Sequence, residues 1–246
     1  MRDLNAYENF YGTKSFEEIQ VVYRRRKMLQ VMRKYKHDHI LEIGCGTDPL
    51  FAHMDDYLSM AVVEPGNGFY EHACELSKED SRITCYKGFF EDEVKNLLEN
   101  QPPFDFIAAS MLAELEDIDR GYQALYNICS EKTILYLCVS NAESLHRLVA
   151  YEAGLIKDIA EISGRGEKLL QRRGPYTMDE LCTQIEKNGF EIIEKGSYFP
   201  KLFTHQQMQN MLEQNIITKD VLDGMYNMEK YLPRYGSEIY AACVKK

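Results

Sequence analysis

From about residue 39 to residue 140, short apolar runs alternate with helical patterns, and this alternation constrains the fold more than any other feature of the chain. "HILEI", "SMAVVEP", "RITCYKG", "FDFIAAS" and "TILYLCV" are apolar runs that end at turn signals or polar segments. Between them lie "NGFYEHACELSK", "EDEVKNLLEN" and "IDRGYQALYNIC", whose apolar residues recur at helical spacing. Strands buried on both faces lose their polar alternation, and intervening helices supply the cover. The pattern therefore predicts a doubly wound α/β fold around a mostly parallel sheet.

The flanks complete the plan. Residues 1–37 read as an N-terminal helical cap, opened by a capping box of Ser15 with Glu18. Residues 49–57 read as helical. After residue 140 the order changes. Residues 141–175 are mixed helix and loop, broken by Gly164, Gly166, Gly174 and Pro175. Thr177 and Glu180 form a second capping box, and the helix they open stops at Gly189. "FEIIEKGSYF" is a strand, residues 204–230 are helical, and "SEIYAACVKK" is a last strand. No repeat or linker divides the chain. The expectation is one domain over 1–246, with 141–175 and 200–232 as additions on one side of the sheet.

Charge and cysteine usage narrow the function classes. The formal charge of -10 opposes a phosphate backbone, so no nucleic-acid partner is expected. The basic run Arg24-Arg25-Arg26-Lys27 reads as a solvated helix face. The 7 cysteines are odd in number and scattered, without a CxxC, which points to a reducing compartment rather than a disulfide framework or zinc site. His37, His39, His53 and His72 lack partners at ligand spacing, so no metal is expected. "MRDLNAYENFYG" has no apolar leader, and no run has the length of a membrane span. A cytoplasmic enzyme without membrane association is expected; oligomeric state is not legible.

The turn after the first strand, "HILEIGCGTDPLF", carries the chemistry. Gly44 and Gly46 let a ligand touch the backbone, because no Cβ stands in the way. Glu64 follows 20 residues after Gly44, at the end of the second strand, where an acid accepts hydrogen bonds from a ribose diol. Glu42 and Asp48 flank the turn. A pyrophosphate, as in NAD, wants amide N–H groups and no carboxylates there. A cationic adenosine derivative suits them, and Asp48 can also serve as a helix N-cap.

The motifs resemble those of class I S-adenosylmethionine-dependent methyltransferases, over about residues 38–245. "ILEIGCGTD" looks like the family's first motif, with Asp48 in place of its last glycine. "VVEP" looks like the second, with Glu64 as the ribose acid beside Pro65. "KGFFEDE" resembles the segment flanking the adenine, which implies Phe89, Phe90 and Glu91. "FDFIAASMLAELED" resembles the fourth motif, with Ser110, Met111 and Leu112 lining the cofactor. Many relatives carry a histidine there; Ala113-Glu114 stands in its place. The resemblance implies a Rossmann-like sheet of seven strands, the last antiparallel, and S-adenosyl-L-methionine as cofactor with S-adenosyl-L-homocysteine as product. It implies cofactor contacts from Glu42, Gly44, Cys45, Gly46 and Asp48. "VSNAESLHRLVAYEAGLI", "RRGPYTMDELCTQIEKNGFEII" and "YFPKLFTHQQM" are similar to methyltransferases of bacterial surface-glycan and sugar modification, in which this region covers the acceptor.

The remaining candidates have two readings each. His146 in "SLHRL" is either a surface histidine beside Leu145, Leu148 and Val149, or a general base on an acceptor hydroxyl. It could also hold an anionic acceptor as imidazolium. Glu114 is a second base candidate. Lys201 and His205 are either surface residues or contacts for an acceptor phosphate. Tyr7, Phe10 and Tyr11 are either core packing or a lid over the sulfonium. Tyr23 and Arg24 can reach a methionine carboxylate. The expected activity is O-methylation of a small acceptor. An NAD-dependent oxidoreductase and a non-catalytic cofactor-binding relative are the rivals.

Overall fold

The computed structural model describes residues 4, 16–110, 117–161 and 174–246. Helix α1 (Phe16–Met32) precedes β1 (His39–Ile43). Then come β2 (Ser59–Glu64), α2 (Asn67–Ser77), β3 (Ile83–Lys87), α3 (Phe90–Asn100), β4 (Phe106–Ser110), α4 (Ile118–Ile128) and β5 (Ile134–Ser140). The second half holds α5 (Leu145–Glu152), α6 (Met178–Lys187), β6 (Phe190–Tyr198), α7 (His205–Glu213), α8 (Lys219–Asn227) and β7 (Glu238–Lys245). The sheet has seven strands in the order β3-β2-β1-β4-β5-β7-β6. β7 runs antiparallel to both neighbours, and the other strands share one direction. This is the expected Rossmann-like architecture. No described helix is long and apolar enough to cross a membrane.

Strand alternation sorts side chains into two cores, one per face. On β5, Ile134, Tyr136 and Cys138 enter one core with Ile40, Met60 and Phe106. Leu135, Leu137 and Val139 enter the other with Leu41, Ala61 and Ile107. Both faces are covered, which is why the strands read as continuous apolar runs. The Thr177–Glu180 capping box is present at the start of α6. Ser15 lies outside the described residues.

Three local expectations change. Residues 49–57 hold only one tight 3-10 turn, Leu50–His53, after Pro49. Residues 204–230 form two helices, because Asn215 takes a left-handed φ of 55° between them. The basic run is solvated only at Arg26. Arg24, Arg25 and Lys27 are buried, and each meets an acid from elsewhere in the chain. Arg24 pairs with Glu17 and Glu238, Arg25 with Glu42, Arg26 with Asp223 and Lys27 with Glu229. The run therefore ties α1 to the glycine turn, to the start of β7 and to α8. A buried pair of this kind is costly to break, by about 3–5 kcal/mol, since removing one partner strands the other.

Candidate active site

In this strand order the connections leave β1 and β4 in opposite directions, so a crevice opens beyond their carboxyl ends. The glycine turn lines it. Gly44 (φ 76°) and Gly46 (φ 57°) are both left-handed, and a Cβ built at either meets no atom of another described residue within 4 Å. The space beside both glycines is a cradle left open by the described residues. Gly44 N donates to Val63 O at 2.9 Å and Gly46 N to Glu64 Oε2 at 3.0 Å, so the turn hangs on β2.

Glu64 is buried and accepts from Gly46 N and, at 2.8 Å, from Gly66 N. Its carboxylate clamps the first and second strand-to-helix turns together. No cation lies within salt-bridge reach of it among the described residues, and burial raises its pKa. Gly88 N donates to Glu64 O at 3.2 Å, which brings the chain after β3 to the same edge. There the paired phenylalanines divide. Phe89 is exposed, whereas Phe90 packs into the core beside Leu41 and Val63 and is not free to flank a ligand. Glu91 has a buried Oε2 without a partner, as has Ser110 at its Oγ. Pro65 is half-buried. Met111, Leu112, Ala113, Glu114, Tyr7, Phe10 and Tyr11 lie outside the described residues.

The two carboxylates flanking the turn lie under it. Glu42 makes a close ion contact of 2.5 Å with Arg25 Nη1 and accepts from Leu50 N at 2.8 Å. Burial raises its pKa against the pull of Arg25. Arg25 also donates to Cys45 O at 3.0 Å and Asp48 O at 2.8 Å, bracing the turn from below. Asp48 is not a helix cap. Its Oδ1 meets His53 Nε2 at 2.6 Å, while its buried Oδ2 has no hydrogen bond. One guanidinium thus serves two carboxylates, with the Glu64 carboxylate close by. Cys45 faces Glu42 and Glu64; burial and those carboxylates raise its pKa far out of reach, so it stays a thiol.

Arg24 does not offer a free charge to a ligand carboxylate. Its Nε donates to Glu238 Oε2 at 2.9 Å and its Nη2 to Glu17 Oε1 at 2.9 Å. Burial opposes its charge, yet the two carboxylates keep it protonated. Tyr198 and Cys138 close the network around Glu238. Tyr23 instead bonds Asp223 and stacks on Phe199 at 4.4 Å. Phe199 itself has a left-handed φ of 56°, a conformation rare for a bulky residue. This bend leads the chain into Lys201, which is 2% exposed and not a surface residue. Its Nζ donates to Gln20 Oε1 at 3.2 Å. His205 is half-buried, 3.5 Å from Glu17 and against the Phe16 ring.

His146 sits in the first turn of α5. Asn141 fixes that helix start: its amide donates to Arg234 O and Gly236 O, each at 2.8 Å, and its Oδ1 accepts from Glu143 N. His146 Nδ1 is buried without a partner, and so is Ser144 Oγ beside it. Burial, then the nearby charges of Lys201 and Arg147, hold the His146 pKa well below the usual histidine value. The imidazole is neutral at neutral pH. An imidazolium that holds an anion is therefore not what this environment favours.

Sequence reasoning missed Arg25 and Gln20. A signal existed: Glu17, Gln20 and Arg24 recur at helical spacing on α1 and face the carboxyl edge of the sheet. Polar residues on a core-facing stripe are a reason to look for partners.

No family model matches the chain, and no curated protein sequence matches it. Solved structures do. An S-adenosylmethionine-dependent methyltransferase from Thermotoga maritima, a possible histamine N-methyltransferase, aligns with a TM-score of 0.57 at 17% identity, over 98% of this chain and 99% of that one. The N-methyltransferase NodS from Bradyrhizobium japonicum WM9, in complex with S-adenosyl-L-homocysteine, aligns at 0.55 and 11%, over 96% and 89%. The [4+2]-cyclase SpnF aligns at 0.57 and 14%, over 90% and 80%. Likeness at these identities establishes the fold, the class I methyltransferase sheet. SpnF carries that fold under a different reaction name, so the fold alone does not choose the chemistry.

Proposed function

We propose that the chain is a methyltransferase that binds S-adenosyl-L-methionine at the glycine turn and methylates an oxygen of a small acceptor. The charge at that turn carries this reading. Glu42, Asp48 and Glu64 surround it, with Arg25 the one guanidinium bound among them in the described residues. A sulfonium and an ammonium suit such a site, and a pyrophosphate does not. The chain's residues fit the cofactor. Gly44 and Gly46 leave the cradle, Glu64 retains lone pairs for a ribose diol, and the buried oxygens of Glu91 and Ser110 lack a hydrogen-bond partner of their own. Bound there, the cofactor supplies a methyl on a sulfonium that is already a good leaving group. The protein's task is then to align an acceptor oxygen and exclude water. The neutral His146 imidazole can take the acceptor hydroxyl proton as that oxygen attacks. A sugar, nucleotide-linked or phosphate-bearing acceptor of surface-glycan synthesis follows from the likeness of the segments around His146, Thr177 and Lys201 to glycan-modifying methyltransferases. A cytoplasmic location fits that setting.

Calorimetry on the purified protein tests the cofactor. S-adenosyl-L-methionine and S-adenosyl-L-homocysteine are expected to bind, and NAD is not. Tight NAD binding without a signal from either would overturn the reading. Glu64→Ala is expected to weaken S-adenosyl-L-homocysteine by about 1.5–3 kcal/mol, the worth of hydrogen bonds to a charged acceptor. It should also lower the melting temperature, because Gly46 N and Gly66 N lose their shared acceptor. An unaltered affinity would place the ribose elsewhere.

A further inference from the structure

Resting on the methyltransferase reading, we propose that the acceptor carries an anionic oxygen group, a carboxylate or a phosphate, and that Lys201 with Gln20 holds it.

Lys201 is a buried ammonium whose neighbours do not satisfy it. Among the described residues no carboxylate lies within salt-bridge distance of it, and its one hydrogen bond goes to Gln20 Oε1 at 3.2 Å. The two carboxylates that sense it, Glu17 and Glu238, are both bound by Arg24. Glu238 also accepts from Tyr198. The Phe16 ring, 5.5 Å away, offers only its face. Beside Lys201, the Gln20 Nε2 amide is buried and has no acceptor. His146 Nδ1, close enough to sense the Lys201 charge, is likewise alone. Two donor-bearing groups, the ammonium and the amide, thus share one place and lack an acceptor. A ligand that completes them brings oxygen lone pairs, and a charged oxygen gives the ammonium the direct ion pair that Glu17 and Glu238, held by Arg24, supply only at a distance.

The location suits an acceptor. β6 shares the direction of β5, so Lys201 lies just past the carboxyl edge of the sheet, on the same side as the glycine turn and His146. His146, held neutral, is left free for the hydroxyl proton while Lys201 carries the charge. Burial lowers the Lys201 pKa to about 8. Around it Arg24 holds Glu238 below the usual carboxylate range and itself stays charged, with Glu17 as its second partner. The pKa values of Tyr198 and Cys138 are raised. Its own ionisation then sets how anion binding responds to alkaline pH.

The full-length protein tests this by calorimetric titration with inorganic phosphate and, separately, with acetate, with and without saturating S-adenosyl-L-homocysteine. At least one anion is expected to bind. Its affinity should fall roughly tenfold or more in Lys201→Met, less in Gln20→Leu, and should decline in the wild type as pH rises through about 8. Phosphate alone would mark a phosphate-bearing acceptor, and acetate alone a carboxylic acid. Lys201→Met should come close to the wild type in melting temperature, since it deletes a buried charge that costs desolvation and has no direct ion pair. A purely structural lysine would instead leave the variant less stable. If that variant does not fold, Gln20→Leu and the wild-type pH profile decide. Failure of both anions to bind at tens of millimolar, or equal binding by Lys201→Met, overturns the proposal. Failure of S-adenosyl-L-homocysteine to bind, with the anion result unchanged, counts against the methyltransferase reading alone.

Discussion

Gly44→Val is expected to abolish S-adenosyl-L-homocysteine binding while leaving the domain folded. The described residues do not resist the added side chain, because none of them lies within 4 Å of a Cβ at this position. The obstruction is to the ligand, for which that space is open. A backbone cost comes with it. Valine at φ 76° is strained by roughly 1–2 kcal/mol. That is a minor share of the 5–15 kcal/mol typical of a domain, so the fold should survive. Gly154→Val provides the control. Gly154 also has a left-handed φ, 70°, with no atom within 4 Å, but it lies after α5 and away from the turn. It should cost similar stability and leave cofactor affinity intact. Melting curves and calorimetry on the two variants separate strain from exclusion. Normal cofactor affinity in a folded Gly44→Val would remove this turn from the site.

The second large effect is expected at His146. His146→Ala should slow methyl transfer by roughly 10²–10⁴, the usual worth of a positioned general base, with cofactor affinity nearly unchanged. An unperturbed histidine base would give a fall in rate centred near about pH 6.5. The structure moves that fall to lower pH, because burial and the charges of Lys201 and Arg147 disfavour the imidazolium. Activity should therefore persist below about pH 6.5. Stability follows the same linkage. Below that value the unfolded chain binds a proton that the buried imidazole does not, so the folded state loses stability as pH falls. His146→Ala should flatten this acid limb. Rate against pH, and melting temperature against pH, for wild type and variant check both. An unchanged rate in His146→Ala would leave alignment as the source of catalysis.

Where the sequence was read correctly, the relevant physics was local. Strand runs between helical patterns fixed the sheet, since burial on both faces removes polar alternation. Thr177 and Glu180 announced the start of α6 because a capping box closes within one turn. Gly44, Gly46 and Glu64 were legible as neighbours because their spacing alone puts one turn with two glycines and an acid at adjacent strand ends. Phe89 and Phe90 show the limit. They are neighbours of equal hydrophobicity, and only the packing of α3 decided that Phe90 enters the core and Phe89 stays outside.

The basic run shows the limit more fully. Four adjacent cations on a helical pattern read as a solvated face, because local spacing contains no acid to neutralise them. Their partners are Glu42, Asp223, Glu229 and Glu238, brought to α1 from other elements by folding. The same assembly took Arg24 away from any ligand and left Lys201 buried beside Gln20. The sequence by itself determined the order of elements, the class of sheet and the left-handed glycine turn at the end of β1. The tertiary structure decided which charges are spent inside the protein and which remain unanswered. Electrostatic compensation depends on distance through space, and chain spacing does not encode distances between residues about 200 positions apart.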